Sequence, residues 1–409
     1  MQNINSGDTA FILIAAALVM FMTPGLALFY GGMVRSKNVL GTIMQSIIIL
    51  GIINVLWMLF GYSLAFGPDK LGLIGDLSWV GLKGVGLAPN AEYAPTIPHE
   101  AFMIFQGMFA IITPALITGA FAERMKFSSF LAFTIAWFII VYLPVAHWVW
   151  GAGGWLRNLG VLDFAGGIVV HASSGAAALA AAIFTGKRKG FGTEPLIPHN
   201  IPLTIIGMGI LWFGWFGFNA GSALAAGGLA ANAFVTTQVA ATAATASWVI
   251  TEWIKGGKPT TLGTATGAIA GLATITPAAG FVSPSAALLI GLIAGIVCYY
   301  AISLKFKLGY DDSLDVVGVH GVGGVLGTLS VGIFASTAIN SAAKDGLIFG
   351  NASLLQIQAL GVFTVVIFSF IASMVILKVI NALIGVRITD EDELTGLDLS
   401  QHSEVGYDF

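Results

Sequence analysis

Long apolar runs separated by short polar segments extend along the whole chain. A bilayer core about 30 Å thick is crossed by about 20 apolar residues of α-helix, so runs of this length predict membrane spans. Two runs, 195–251 and 259–304, are long enough for two spans each and break near FNAGSALAAGG and TPAAGFVSPS, where Gly, Pro, Asn and Ser favour turns. The single spans are predicted at 9–34, 38–68, 101–122, 127–156, 164–186, 316–343 and 346–377. The pattern therefore predicts eleven transmembrane helices.

The composition agrees with this pattern. Among the 409 residues, 57% are hydrophobic and 9% are charged, whereas a soluble domain carries about 25% charged residues. The apolar runs are continuous rather than alternating, which argues against a membrane β-barrel. The predicted fold class is an all-α, multi-pass integral membrane protein, and most of the 53 glycines are expected to serve close helix packing.

The distribution of Lys and Arg predicts the orientation of the helices. One set of predicted loops carries thirteen of the 17 basic residues, and the opposite set carries four. Because cytoplasmic loops are enriched in Lys and Arg, the richer set is expected to face the cytoplasm. An odd number of helices then places the N-terminus outside and the C-terminus in the cytoplasm. With a net charge of −3, no nucleic-acid partner is expected.

Two histidines lie at equivalent positions inside predicted spans. Asp163 precedes His171 by eight residues in LDFAGGIVVHASSG, and Asp312 precedes His320 by the same eight residues. The first of these spans would start outside and the second inside, as expected if helices one to five and six to ten are inverted copies and the eleventh stands apart. At 1.5 Å per residue, each ring lies roughly 10 Å deep in a core about 30 Å thick. The two rings are therefore expected to meet near the midplane.

The chemistry of a buried histidine pair suggests a path for a small polar molecule. Ionisable groups inside spans usually face a cavity and mark a substrate or proton path. Burial disfavours the charged form, so both rings are expected to be neutral, each with one donor and one acceptor nitrogen. The other histidines near helix ends, His99, His147 and His199, are expected to bond to backbone carbonyls instead.

Three aromatic stretches lie near the predicted outer ends of their spans, among Gly, Ala and Ser. Aromatic residues at the membrane interface are ordinarily belt residues, but small neighbours leave room here for an external vestibule. Aromatic rings attract cations within about 6 Å, so such a cluster with a hydroxyl is suited to hold a small cation. The stretches are FQGMFA, HWVWGAG and GWFGFNAGS, containing Phe105, Phe109, Trp148, Trp150, Trp215, Phe216, Phe218 and Ser222.

Five motifs occur in an order that resembles a known family. They are FYGGMVRSKNVL, FQGMFAIITPALITGAFAER, DFAGGIVVHASSGAAAL, GWFGFNAGSAL and DVVGVHGVGG. Over essentially its whole length the chain resembles the ammonium transporter (Amt) family, relatives of the Rhesus glycoproteins. The resemblance implies a homotrimer in which each subunit has its own pore along the inverted-repeat axis.

The resemblance also implies roles for individual residues. Ammonium would be recruited at an outer site, pass two stacked phenylalanines, lose its water and its proton, and continue as ammonia along twin histidines. The residues matching these roles are Trp150, Ser222 and Phe109 (outer site), Phe109 and Phe218 (gate), His171, His320 and Trp215 (pore), Asp163 (support of the outer site), and Phe29, Tyr30 and Val316 (cytoplasmic exit).

The resemblance further implies the setting of the protein. Residues 1–386 would form an Amt-type pore domain and residues 387–409 a cytoplasmic tail. The expected location is the cell's inner (plasma) membrane, surrounded by the lipid bilayer, and the substrate is ammonium or ammonia. No cofactor, metal or enzymatic activity is expected. An ordinary transporter of this type would couple its tail and cytoplasmic loops to a PII signalling protein.

Three alternatives remain at this point. Some Amt-type membrane domains are fused to signalling modules and act as ammonium sensors, and this reading leads if the natural chain continues beyond Phe409. The two histidines could instead be axial ligands of a membrane haem. A sodium-coupled transporter with broken helices is the third alternative, for which Asn219 and its neighbouring glycines are a cue.

Overall fold

The computed structural model describes residues 4–407, and these form a bundle of membrane-length helices. Within that range, ten helices are long and apolar enough to cross a membrane, and a shorter apolar helix joins them, so the predicted all-α fold and its eleven spans are confirmed. The helices are α1 (Ser6–Met33), α2 (Ser36–Phe66), α3 (His99–Phe121), α4 (Phe127–Leu159), α5 (Gly167–Thr185), α6 (Ile201–Gly221), α7 (Gly228–Gly256), α8 (Thr261–Ile275), α9 (Pro284–Leu308), α10 (Val317–Phe334) and α11 (Ala352–Ile384).

The short helix is α8. Its 15 residues extend about 22 Å, less than the roughly 30 Å of a bilayer core. Residues 276–282, which follow it, form turns and are all buried. Non-helical backbone is tolerated at membrane depth where protein surrounds it, so the buried turn completes the crossing.

The predicted limits of the last two spans were wrong. The prediction ran α10 to residue 343, but the helix ends at Phe334; α11 was placed at 346–377 but spans Ala352–Ile384. Between them the chain makes a folded loop in which the Gly346 N–H donates to the Ala335 carbonyl at 2.8 Å. This loop contains four alanines and the apolar segment Leu347–Phe349, so hydropathy alone did not separate it from the helices.

A loop between α2 and α3 carries two short hairpins that the helical pattern did not predict. Asp69–Lys70 pairs with Ile74–Gly75, and Pro89–Asn90 pairs with Ala94–Pro98. We term the end of the bundle that carries these hairpins the outer face, and the opposite end the inner face.

The helices predicted to be equivalent in the two halves pack against one another. The most extensive helix contact joins α1 to α6, and α5 crosses α10. Both α5 and α10 begin with a π-helical turn, Gly167–Ala172 and Val317–Gly321, and each turn contains one of the paired histidines. This pairing supports the inverted repeat, since a two-fold axis brings equivalent elements together.

The crossing of α5 and α10 depends on glycine. A Cβ atom on Gly175 would lie 2.1 Å from the Cα of Gly321. Replacing Gly175 with Ala is expected to lower stability by about 1–3 kcal/mol or more, because backbone must shift to admit the methyl group. Thermal unfolding of the purified protein measures this. Gly209→Ala, where nothing lies within 4 Å, is the matched control, and equal melting temperatures for the two variants would contradict the prediction.

The residues after α11 fold back onto the inner face. Two short helices, α12 (Asp390–Thr395) and α13 (Leu397–His402), lie there. The Asp398 carboxylate accepts two backbone N–H groups near the start of α2, at 3.0 and 2.8 Å. Arg387 forms an ion pair with Glu393 at 2.7 Å. The tail is thus fixed to the loops between the spans.

Candidate functional site

A pocket of about 190 Å³ opens at the outer face, near the outer ends of α3, α4 and α6. Phe109, Trp150 and Ser222, which the sequence analysis assigned to one outer site, all line it. The rings of Phe109 and Trp150 lie 5.8 Å apart at an angle of 83°. Two aromatic rings and a hydroxyl therefore border one open pocket, a combination suited to a small cation.

The polar groups of this pocket are oriented by backbone contacts. The Trp150 indole N–H donates to the Asp163 carbonyl at 2.9 Å, so the indole presents its ring rather than its N–H to a ligand. The Ser222 hydroxyl donates to the Phe218 carbonyl at 2.9 Å. Its oxygen lone pairs stay available to accept a hydrogen bond, which is the polarity that an N–H cation requires.

Two phenylalanine rings separate this pocket from the interior. Phe109 lines the outer pocket, while Phe218 lines a second cavity further in. Their ring centroids are 4.4 Å apart, and both side chains are 1% exposed. Passage between the two cavities therefore requires these rings to move.

The inner cavity has a volume of about 10 Å³, close to the space that one water molecule needs. His171, His320, Trp215, Phe218 and Phe29 line it, together with the aliphatic side chains of Met22, Leu26, Ile112, Leu116, Val170, Leu211 and Ile269. A cavity of this size and lining fits a single small, uncharged molecule.

The two histidine rings contact each other, as their spacing predicted. The Nδ1 atoms are 3.2 Å apart, and the ring centroids are 5.2 Å apart with planes 20° from parallel. In a neutral pair one Nδ1–H donates and the other Nδ1 accepts. The donating ring then has a bare Nε2, and the accepting ring has an Nε2–H. The pair therefore offers one acceptor and one donor, the two functions that ammonia can use.

One of these nitrogens has no partner. The Nε2 atom of His171 is buried and makes no hydrogen bond to any described residue. An unpaired buried polar atom is costly, which favours a ligand that can bond to it. Trp215 does not provide that bond, because its indole N–H donates to the Thr276 hydroxyl at 2.9 Å while its ring stacks on His171 at 5.5 Å.

Asp163 organises the start of α5. Its Oδ1 accepts the N–H groups of residues 166 and 167 at 2.9 and 2.6 Å, and its Oδ2 accepts those of residues 168 and 169 at 2.8 and 3.1 Å. Burial raises the pKa of Asp163, and the four N–H donors oppose that rise. The side chain is buried and does not line the outer pocket, so it supports Trp150 through its backbone carbonyl.

The three residues expected at the cytoplasmic exit are not equivalent. Phe29 lines the inner cavity with the histidines. Tyr30 and Val316 are both buried and meet over Gly119, where an added Cβ would lie 2.8 Å from the Tyr30 ring and 2.7 Å from Val316. The Tyr30 hydroxyl donates to the Leu116 carbonyl at 3.0 Å. Tyr30 and Val316 therefore belong to the packed protein next to the cavity and do not line it.

The three histidines that the sequence analysis placed near helix ends bond elsewhere. Nδ1 of His147 lies 2.9 Å from the Ala65 carbonyl oxygen, and Nδ1 of His199 lies 2.8 Å from that of Val34, as expected for structural histidines. His99 differs, since its Nε2 lies 2.5 Å from the Tyr62 hydroxyl rather than a carbonyl.

This geometry argues against two of the alternatives, the membrane haem and the sodium-coupled transporter. An inner cavity of about 10 Å³ cannot hold a haem between His171 and His320. The cue for a sodium-coupled transporter with broken helices was Asn219 with its neighbouring glycines. The α6 helix is continuous through Asn219 to Gly221, and the Asn219 amide donates to the Thr237 hydroxyl at 2.9 Å.

Sequence reasoning missed part of the outer pocket. Glu92, Tyr93 and Arg157 also line it. Glu92 and Tyr93 come from the outer loop, and Arg157 comes from Trp155–Leu159, the last turn of α4, which the non-helical residues 151–154 separate from the rest of that helix. No periodicity places a loop residue beside a distant helix end. The aliphatic lining of the inner cavity was missed too, because in sequence it is indistinguishable from core.

Comparisons with known proteins show the family of the chain. The family model described as Ammonium Transporter Family matches residues 10–407. The chain is 54% identical over 402 residues to the ammonium transporter of Bacillus subtilis, covering 98% of each protein.

Solved structures are similar as well. The crystal structure of Saccharomyces cerevisiae Mep2 has a TM-score of 0.90 and 35% identity, covering 95% of this chain and 89% of that one. A structure described as Sensor Amt Protein has a TM-score of 0.89 and 33% identity, covering 97% and 98%. With eleven apolar helices within residues 4–407 and this match over nearly its whole length, the chain is a multi-pass membrane protein that belongs to the Ammonium Transporter Family.

Proposed function

We propose that the chain carries ammonium across the plasma membrane by binding the cation outside and passing ammonia along His171 and His320. The observation that supports this most directly is the hydrogen-bonded histidine pair in a cavity of about 10 Å³ behind a closed pair of phenylalanines. Such a cavity has room for ammonia and polar atoms to bind it, but no charge to stabilise a cation.

The first step is capture at the outer pocket. The rings of Phe109 and Trp150 attract the cation, and the Ser222 oxygen accepts one of its N–H groups. Water still reaches this pocket, so the cation need not lose its whole hydration shell here.

The second step is proton transfer from ammonium to water in the outer pocket, which yields hydronium and leaves ammonia to pass the gate. When the rings of Phe109 and Phe218 move apart, the molecule meets a cavity lined mainly by aliphatic and aromatic side chains. An unpaired cation there would lack hydration, whereas ammonia can donate to one histidine nitrogen and accept from the other. Potassium has no proton to lose and is therefore rejected.

The setting follows the family resemblance. We propose a homotrimer with one pore in each subunit, an outer face outside the cell and an inner face in the cytoplasm. Residues 1–386 form the pore domain and residues 387–409 the cytoplasmic tail. The tail and the inner loops that it contacts offer a docking place for a PII signalling protein.

Sensing is the second candidate function, since the fold is also similar to the structure described as Sensor Amt Protein. Both functions use the same outer pocket. They differ in whether the ligand crosses the membrane.

Uptake of isotopically labelled ammonium into proteoliposomes distinguishes the two functions. We expect saturable uptake well above that of protein-free vesicles. Saturable ammonium binding without uptake would support sensing and contradict the transport proposal.

A further inference from the structure

Glu92 and Arg157 form an ion pair on the rim of the outer pocket. Nη2 of Arg157 lies 3.0 Å from Oε1 of Glu92, and both side chains line the pocket together with Trp150. The Arg157 and Glu92 side chains are 36% and 58% exposed. Exposed pairs contribute little to folding stability. Changing the charges should therefore leave the fold intact.

Arg157 is nevertheless held in place. It belongs to the helical turn Trp155–Leu159, which the fully buried Leu156 anchors to the bundle. Its Nη1 donates to the Trp150 carbonyl at 3.1 Å, and its guanidinium carbon lies 5.9 Å from the centre of the Tyr93 ring. A positive charge is thus fixed against the backbone of a residue that binds the proposed cation.

A fixed positive charge opposes a second cation nearby. At about 0.1 M salt the screening length is roughly 10 Å, so charges within one pocket still interact. The carboxylate of Glu92 offsets this repulsion and leaves the rim close to neutral. Neither Glu92 nor Arg157 lines the inner cavity.

We infer that Glu92 and Arg157 set the affinity of the outer pocket for its cation, with Arg157 weakening the binding and Glu92 restoring it. The inference rests on the proposed transport function. Because the pair lies outside the phenylalanine gate, it changes the ammonium concentration at half-maximal uptake, KM, and leaves the maximal rate unchanged.

The test is the concentration dependence of ammonium uptake in proteoliposomes at low salt. Glu92→Gln is expected to raise KM, and Arg157→Gln is expected to lower it, each by roughly threefold to tenfold. The double variant, Glu92→Gln with Arg157→Gln, restores a neutral rim and should return KM to near the wild-type value. Both shifts should shrink in high salt because of screening.

Two further variants separate charge from position. Arg157→Lys loses the paired hydrogen bonds to Glu92 and Trp150 but retains the positive charge. Because the inference assigns the effect to charge, the KM of this variant should stay near the wild-type value. If it behaves like Arg157→Gln, the residue acts by positioning Trp150, and the inference is wrong. Lys83→Gln removes an exposed charge from the outer loop that does not line the pocket, and it should change nothing.

KM shifts in the same direction for Glu92→Gln and Arg157→Gln, or no shift in either, would overturn the inference. Failure of the transport proposal looks different, because the wild-type protein itself would then show no uptake.

Discussion

Ammonium flux is expected to fall about 100-fold when both His171 and His320 are replaced by alanine. The two rings supply the donor and the acceptor in a cavity otherwise lined by aliphatic and aromatic groups. Without them ammonia loses about two hydrogen bonds, each worth about 1–1.5 kcal/mol. Uptake of labelled ammonium into proteoliposomes measures the loss, and thermal unfolding checks that the variant is folded.

His402→Ala is the matched control, because its ring lies in the tail, where it packs on Phe127 at the start of α4 at 4.8 Å, and not in the cavity. It should retain wild-type flux. If the double variant instead keeps undiminished flux that still excludes potassium, the histidines do not form the path.

Loss of Asp163 is expected to be the most destabilising single change near the site. In Asp163→Ala the four backbone N–H groups that its carboxylate accepts are buried without partners. Leaving each unpaired costs about 1–3 kcal/mol, so a loss of about 4 kcal/mol or more is predicted. Asp163→Asn keeps one acceptor oxygen, so its stability should lie between that of Asp163→Ala and that of the wild type.

Thermal unfolding of the detergent-solubilised protein measures this effect. Asp345→Ala is the control, since that carboxylate also accepts a backbone N–H, at 2.7 Å, but on an exposed loop. Equal melting temperatures for Asp163→Ala and Asp345→Ala would show that the start of α5 does not depend on the carboxylate.

The centre of the site could be predicted because its residues recur at equal spacing in the sequence. The equal intervals from Asp163 to His171 and from Asp312 to His320 predicted two rings meeting inside the bundle, and their Nδ1 atoms are 3.2 Å apart. Helical rise is constant, so depth in the membrane follows directly from residue number. The aromatic stretches were found in the same way, because each lies at the end of a predictable span.

The rest of the site depends on features that have no period. Glu92 lies in the outer loop, far from Trp150 in sequence. Arg157 follows Trp150 by seven residues and reaches its carbonyl because the chain turns at residues 151–154. The π-helical turns that carry the histidines were not foreseen, since they depend on how α5 and α10 pack. The wrong limits of α10 and α11 have a different cause, because apolar residues in the connecting loop, such as Leu347–Phe349, resemble part of a span in hydropathy although the loop is largely exposed.

The central claim is that the pore admits ammonium as ammonia and therefore rejects potassium. The most direct test compares the initial influx of labelled ammonium and labelled potassium into the same wild-type proteoliposomes. The account predicts saturable ammonium influx that a large excess of potassium does not reduce, with potassium influx no greater than in protein-free vesicles. Comparable influx of both ions would show that an intact cation crosses the cavity between His171 and His320, and would contradict the account.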